Sequence, residues 1–231
     1  MPADPRVFLV DVDNTLLDND TVTRDLRQHL ESRFGVDSSN QYWAIFERLR
    51  TEIGYADYLG ALQRYRLEHP DEPMLEASLF LIDYPFADRL YPRALDVIAA
   101  LRTLGPVVIF SDGDAVFQPR KVERSGLWQA VEGRVLIYIH KEAMLADVEY
   151  RFPASRYIVV DDKLRILDAI KRIWRERVTT VFPRQGHYAL DPAIATQYPS
   201  ADVTVERIGD LVEGLQRLMS APPRHPDLKE G

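Results

Sequence analysis

Four short apolar runs rich in β-branched residues, each ending at residues suited to anion or metal chemistry, constrain this chain more than any other feature. They span residues 7–10 (VFLV), 107–110 (VVIF), 135–139 (VLIYI) and 157–160 (YIVV). Continuous apolar runs of this length read as strands buried on both faces. Helical patterns follow several of them, over 93–104, 116–126 and 164–177, so strand and helix alternate as in a parallel sheet. A fifth strand is expected over 178–182, a weaker sixth over 203–205, and a last helix over 208–219. The fold class predicted is α/β, a doubly wound parallel sheet of Rossmann-like type.

Residues 21–84 break this alternation, because they carry helical periodicity and no convincing strand. Helices are expected over 23–34, 41–53, 55–68 and 73–82, interrupted by Gly35, Gly54 and the His69-Pro70 turn. The organisation that follows is a core built from 1–17 and 88–220, an all-helical insert over 18–87, and a tail over 221–231. With Pro222, Pro223 and Pro226, that tail is expected to fray. A length of 231 residues suits one core domain carrying a smaller inserted one.

Composition removes several function classes. With 0 cysteines there is no disulfide framework, thiolate zinc site or cysteine nucleophile, which is compatible with a reducing cytosol. The N-terminus lacks the basic start and cleavage region of a signal peptide, and no apolar stretch approaches the ~18 residues that cross a bilayer. A cytoplasmic protein with no membrane partner is therefore expected. A net charge of -7 disfavours a sequence-independent grip on nucleic acid, which needs clustered Lys and Arg. A small anionic substrate remains compatible, because local donors and a metal ion can reverse the potential within one pocket.

In a parallel sheet the strand C-termini share the edge where ligands bind. Asp11 and Asp13 stand at that edge after the first strand, Ser111 after the second, Lys141 after the third, and Asp161 and Asp162 after the fourth. A calcium loop starting at Asp11 fails, since its sixth position is Leu16 rather than Gly and its twelfth is Val22 rather than Glu. An unreactive phosphate ester needs a nucleophile, a proton donor and charge neutralisation together, and two carboxylates two residues apart can divide the first two roles.

The DVDNT run at 11–15, FSDGD at 110–114, His140-Lys141 and VVDDK at 159–163 resemble the four motifs of the haloacid-dehalogenase-like hydrolase superfamily, in order, across residues 6–205. The helical insert between the first two is similar to that superfamily's first class of cap. The resemblance implies that Asp11 attacks phosphorus to form an aspartyl-phosphate, while Asp13 protonates the leaving oxygen and then activates water. It implies Mg²⁺ as cofactor, held by the Asp11 carboxylate, the backbone carbonyl of Asp13 and the Asp161-Asp162 pair, with Asp162 favoured as the direct ligand. Ser111, Asp112, Gly113 and Lys141 are implied to bind the phosphate, the first three through the Ser111 hydroxyl and backbone N–H groups and the last as a point charge.

The substrate implied is a small phosphorylated metabolite. A phosphotransferase or mutase with the same nucleophile, a catalytically silent binding protein and a halide-removing enzyme are the alternatives, though an acid at Asp13 speaks against halide removal because a halide leaves without a proton. Lys121 is the rival for the cationic role of Lys141, and its position within a helix reads as a solvated face. Thr15 is expected either to order the first loop or to serve as a cap. His187, in the loop after the fifth strand, reads as structural or solvated. Tyr58, Arg64, Tyr65 and Arg66 recur at helical spacing and read as a core stripe with a charged outer face, one or two of them available to read a leaving group. Arg93 stands where relatives often carry glycine, at the junction of insert and core.

Overall fold

Alternation within the apolar runs decides the two faces of the sheet. In the computed structural model, which describes residues 5–72 and 74–220, six strands form one parallel sheet. They are β1 (Arg6–Val10), β2 (Val107–Asp112), β3 (Val135–Tyr138), β4 (Arg156–Val160), β5 (Val178–Pro183) and β6 (Val203–Val205), in the order β3-β2-β1-β4-β5-β6. Phe8, Val10, Val107, Ile109, Ile158, Val160 and Val181 face one layer, whereas Val7, Leu9, Val108, Phe110, Tyr157, Val159 and Val178 face the other. Successive strand residues point to opposite faces, so unbroken apolar runs supply both cores at once.

Four helices lie between β1 and β2: α1 (Asn19–Phe34), α2 (Val36–Ile53), α3 (Tyr58–Glu68) and α4 (Leu75–Asp83). The expected start of the last at Pro73 lies outside the described residues, as does the tail over 221–231. Helix α1 begins four residues earlier than its periodicity suggests. Asp18 caps it by accepting from Thr21 N at 2.9 Å, and the Asn14 side chain accepts from the N–H groups of Asn19 and Asp20 at 3.0 and 3.2 Å. Side chains thus satisfy donors that a first helical turn leaves open, and the added turn carries Asn19 and Asp20 toward the sheet edge. Helix α2 likewise starts at Val36 rather than at 41, directly after Gly35 at φ 87°. Helix α3 starts at Tyr58, where the Asp57 side chain accepts from Gly60 N at 2.7 Å.

The remaining helices are α5 (Ala94–Arg102), α6 (Phe117–Arg124), α7 (Leu127–Ala130), α8 (Leu145–Arg151), α9 (Leu164–Trp174), α10 (Gly186–Leu190), α11 (Pro192–Gln197) and α12 (Leu211–Ser220). Four of these, α7, α8, α10 and α11, are too short to show a periodic signal in sequence. Helices α5, α6, α7 and α12 cover the first face, and α8, α9 and α10 the second. Arg93 takes the left-handed conformation that glycine favours, at φ 66°, and its guanidinium donates to Glu213 on α12 at 2.5 Å.

The insert is not a separate droplet of apolar residues. Leu26, Leu30, Tyr42, Phe46, Tyr58 and Leu81 belong to the same buried cluster as Phe8, Val10 and Ile109 of the sheet. Leu26→Ala, at a site with 0% exposure, is expected to cost about 2–5 kcal/mol. Because the cluster is continuous, the loss should shift a single urea transition, seen at the same midpoint by circular dichroism and tryptophan fluorescence.

Candidate active site

The strand order reverses at β1, whose neighbours are β2 and β4, and the crevice beyond the carboxyl ends of such strands is where a doubly wound sheet binds ligands. Asp11 follows β1 there and is buried, at 4% exposure. Its Oδ1 lies 2.5 Å from Lys141 Nζ and accepts from Ser111 Oγ at 3.4 Å. The Lys141 ammonium also sits 2.6 Å from Asp161 Oδ2 and donates to Phe110 O at 3.1 Å. The Asp112 carboxylate accepts from Lys141 N at 2.7 Å and so fixes where the lysine stem starts. Burial alone would lower the Lys141 pKa, but the carboxylates of Asp11, Asp161 and Asp112 outweigh it and keep the amine charged.

Asp11, Asp161 and Asp162 each offer a carboxylate oxygen within 4.8 Å of the others. Asp11 Oδ2 and both carboxylate oxygens of Asp162 are buried and find no hydrogen-bond partner among the described residues. Stranded anionic oxygens are costly in a protein interior, and a hard divalent cation takes oxygen ligands of this kind. The donor set therefore fits a metal ion, and these three aspartates could hold it. Burial pushes the Asp161 carboxyl up to about 6 despite Lys141, with the Asp11 charge adding to the rise. Burial also raises Asp162 well above the carboxylate range, against Lys163.

Asp13 points away from this trio. Its Oδ1 accepts from Lys121 Nζ at 2.6 Å and its Oδ2 from Gln118 Nε2 at 3.2 Å. Gln118 Nε2 also reaches Ser111 Oγ at 3.0 Å, linking the two strand ends. Lys121 is 1% exposed and donates a second bond to Asn19 Oδ1 at 3.0 Å. The solvated-face reading of Lys121 is thus corrected. Phe117, Gln118, Lys121 and Val122 form the inward stripe of α6, and the carboxylate of Asp13 supplies the counter-charge that a buried lysine needs.

Over this edge lies a cavity of about 860 Å³. Its floor includes Asp13, Asp112, Gly113, Gln118, Lys121 and Lys163, and its far side is made by residues of α1 and α2 with Tyr55 and Tyr58.

A model of the haloacid dehalogenase-like hydrolase family matches residues 5–173. The chain belongs to the haloacid dehalogenase-like hydrolases. A structure from Burkholderia xenovorans, described as a haloacid dehalogenase-like hydrolase, shares 63% identity with a TM-score of 0.90, covering 94% of this chain and 99% of that one. Two more distant structures show the shared fold. A HAD-hydrolase of Bacillus subtilis bound to magnesium has 17% identity and a TM-score of 0.58, covering 92% of this chain and 99% of its own. L-2-haloacid dehalogenase of Xanthobacter autotrophicus has 17% identity and a TM-score of 0.61, covering 92% and 98%. No curated protein sequence matches the chain.

The polar residues collect at the sheet edge, yet several details depart from the motif reading. Ser111 and Asp112 are the last residues of β2 rather than a loop beyond it. Gly113 N donates to Tyr138 O at 2.8 Å, so it is not the anion donor expected. Its role is steric, since a Cβ there would lie 2.5 Å from Gln118 Cβ. Among the described residues the Thr15 hydroxyl makes no hydrogen bond within its own loop and caps no helix. Its Oγ1 accepts from Asp162 N at 3.1 Å, tying the β1 loop to the β4 loop.

His187 lines the cavity but bonds Asp20, through its N at 2.9 Å and Nδ1 at 2.6 Å, and not Asp11. Although burial opposes it, those bonds and one from Asn14 lower the Asp20 pKa. Of the aromatic and basic stripe of α3, Tyr58 reaches the cavity, whereas Arg64 pairs with Glu52 at 2.7 Å and Tyr65 donates to Glu72 at 2.7 Å. Residues that the motifs do not flag complete the frame. Asn14 adopts φ 59°, and Gln185 donates to Thr15 O at 2.8 Å and accepts from Ile208 N at 2.9 Å. The one sequence cue for Gln118 was its place one turn before Lys121 on the same helix face.

Removing the Lys141 charge leaves two buried carboxylates facing each other. Lys141→Met is expected to destabilise metal-free protein by about 3–5 kcal/mol, as breaking a buried ion pair from one side does. Urea titration of both proteins checks this, and a loss below about 1 kcal/mol would mean that the ammonium is not the keystone of the site.

Proposed function

We propose that this chain is a Mg²⁺-dependent phosphatase that hydrolyses a small phosphorylated metabolite through an aspartyl-phosphate on Asp11, in the cytoplasm. The observation that carries the reading is the trio of buried carboxylates with stranded oxygens, chain neighbours of Asp13 and Lys163, which line the cavity. Displacement of a halide by a carboxylate calls for neither a cation nor an acid. Displacement of an alkoxide from phosphate calls for both.

In this reading Lys141 and Ser111 hold Asp11 at the strand end and donate to the phosphoryl oxygens. A carboxylate oxygen of Asp11 forms a bond to phosphorus as the ester P–O bond breaks. The Asp13–Lys121 pair, 2.6 Å apart, gives a proton to the departing oxygen, Asp13 relaying it from the Lys121 ammonium. Asp13 then takes a proton from the water that attacks phosphorus, and Asp11 is restored as inorganic phosphate departs. Gln118 keeps the Asp13 carboxylate and the Ser111 hydroxyl in register across the two strand ends.

Asp11, Asp162 and the backbone carbonyl of Asp13 would hold Mg²⁺. Asp162 is preferred over Asp161 because both its oxygens are uncommitted, whereas Asp161 Oδ2 faces Lys141 and its Oδ1 accepts from Lys163 N at 2.9 Å. When bound, the ion supplies charge neutralisation between the Asp11 carboxylate and the incoming phosphate. Helices α1 to α4 act as the cap over residues 18–87, and the two segments 1–17 and 88–220 as the core.

Phosphate release from a broad panel of monoesters, with and without Mg²⁺, tests the reading. Asp11→Asn is expected to abolish turnover, and Asp13→Asn to lower it by about 10²–10⁴, the range of general acid–base catalysis. Release of halide from 2-haloacids without Mg²⁺, surviving in Asp13→Asn, would replace this reading with dehalogenation.

Metal and pH are linked through the same carboxyls. Asp161, with a folded pKa of about 6 against an ordinary 3.8, holds a proton that the unfolded chain has released. Its contribution to stability is therefore full below that ordinary value and is lost as pH rises through about 6; Asp162 shifts in the same direction. A cation must displace those protons. Millimolar Mg²⁺ is thus expected to raise the thermal midpoint more at about pH 7 than at about pH 5, and equal shifts at both would argue against these ligands.

A further inference from the structure

The insert wall of the cavity has a chemistry that phosphate capture does not use. Three arginines line it, Arg24 and Arg27 on α1 and Arg50 on α2. Arg24 donates to Thr21 Oγ1 at 2.6 Å, and Arg27 lies 4.8 Å from the centre of the Trp43 ring. Neither has a carboxylate partner among the described residues. Among the described residues the Arg50 guanidinium pairs with Glu47 alone, its neighbour three residues earlier on α2, at 3.5 Å, a partly exposed pair of small worth. The carboxylates nearest the phosphate end are committed elsewhere, Asp13 to Lys121 and Asp20 to His187. In a chain of net charge -7, an arginine set of this kind at one wall is a local reversal of sign.

A second, independent observation comes from Trp43. It lines the same wall and is 7% exposed, yet its indole N–H is buried with no acceptor among the described residues. An unmet donor of this type costs free energy until an acceptor arrives. Trp43 also begins an aromatic row: Phe46 stands 5.2 Å from it edge-on, and Tyr58 4.8 Å from Phe46. Tyr58 is held in place by Thr23 Oγ1 at 2.9 Å and Asn19 Nδ2 at 3.2 Å. The wall therefore offers aromatic surface and planar cations, with one unmet donor buried within it, which together suit an apolar body bearing an anion.

Resting on the phosphatase reading, we propose that the substrate is a phosphate monoester whose leaving group carries a second anionic group, a carboxylate or another phosphate, on a flat apolar body. Arg24, Arg27 and Arg50 with the Trp43 N–H take that second anion, while Asp11 and Lys141 take the reacting phosphate. The cavity, at about 860 Å³, lies in the range that holds a whole small metabolite.

The test compares phenyl phosphate with 3-carboxyphenyl phosphate, two esters of one shape that differ in the second charge. In native protein the carboxylated ester should be preferred in kcat/KM by about tenfold or more, the scale of a charge-assisted hydrogen bond. That ratio should fall toward one in the double variant Arg24→Met/Arg27→Met and drop part of the way in Trp43→Phe, which keeps the ring and removes the donor. Calorimetric binding of both esters to Asp11→Asn provides a readout without turnover, and there the carboxylated ester should bind about tenfold tighter. Hydrolysis of both esters at equal kcat/KM, with equal binding, would overturn this inference and leave the phosphatase reading standing. Absence of hydrolysis with the binding preference intact would overturn the phosphatase reading alone.

Discussion

A single buried ammonium organises the site. Lys141 Nζ touches Asp11, Asp161 and the carbonyl of Phe110, so the ends of β1, β2 and β4 are joined through one charge. In a low-dielectric interior, that attraction is what lets carboxylates from distant parts of the chain approach one another. The compensation is incomplete, because oxygens of Asp11 and Asp162 stay unmatched. That residual anionic demand fits the strand edge to a cation, where a well-paired core would not.

A second buried lysine repeats the device one layer out. Lys121 neutralises Asp13 and reaches Asn19, whose amide in turn bonds Tyr58. Polar contacts therefore run from the strand edge through α6 into α1 and α3. Apolar packing follows the same route, with Tyr58 stacked edge-on to Phe117 at 5.5 Å. The insert is thus fastened to the core on the Asp13 side of the strand edge, and packing sets where residues of α1 and α3 lie relative to that edge.

Much of this was legible residue by residue. The apolar runs showed both faces of the sheet because burial on two sides demands it, and Asp11, Ser111, Lys141, Asp161 and Asp162 were legible because each stands where such a run ends. Lys121 was not, since a lysine inside a helix carries no local mark of burial; its stripe mates Phe117, Gln118 and Val122 acquire an inward sense only when α6 docks. Thr15 was misjudged for a related reason, its partner Asp162 N being 147 residues away. The early start of α1 depends on Asn14, whose left-handed backbone is favoured by a short polar side chain but is not announced by periodicity.

Sequence by itself determined the alternation of strand and helix, the place of the insert and the set of residues at the strand ends, because hydrophobic period and turn chemistry are properties of neighbours along the chain. Only the tertiary structure decided which oxygens are matched and which are stranded, which lysine serves Asp11 and which Asp13, and that arginines of α1 and α2 line the same cavity as Asp13 and Asp112. Those outcomes depend on distances between segments far apart in the chain, and electrostatic energy in a protein interior varies with such distances and with burial, neither of which a linear pattern encodes.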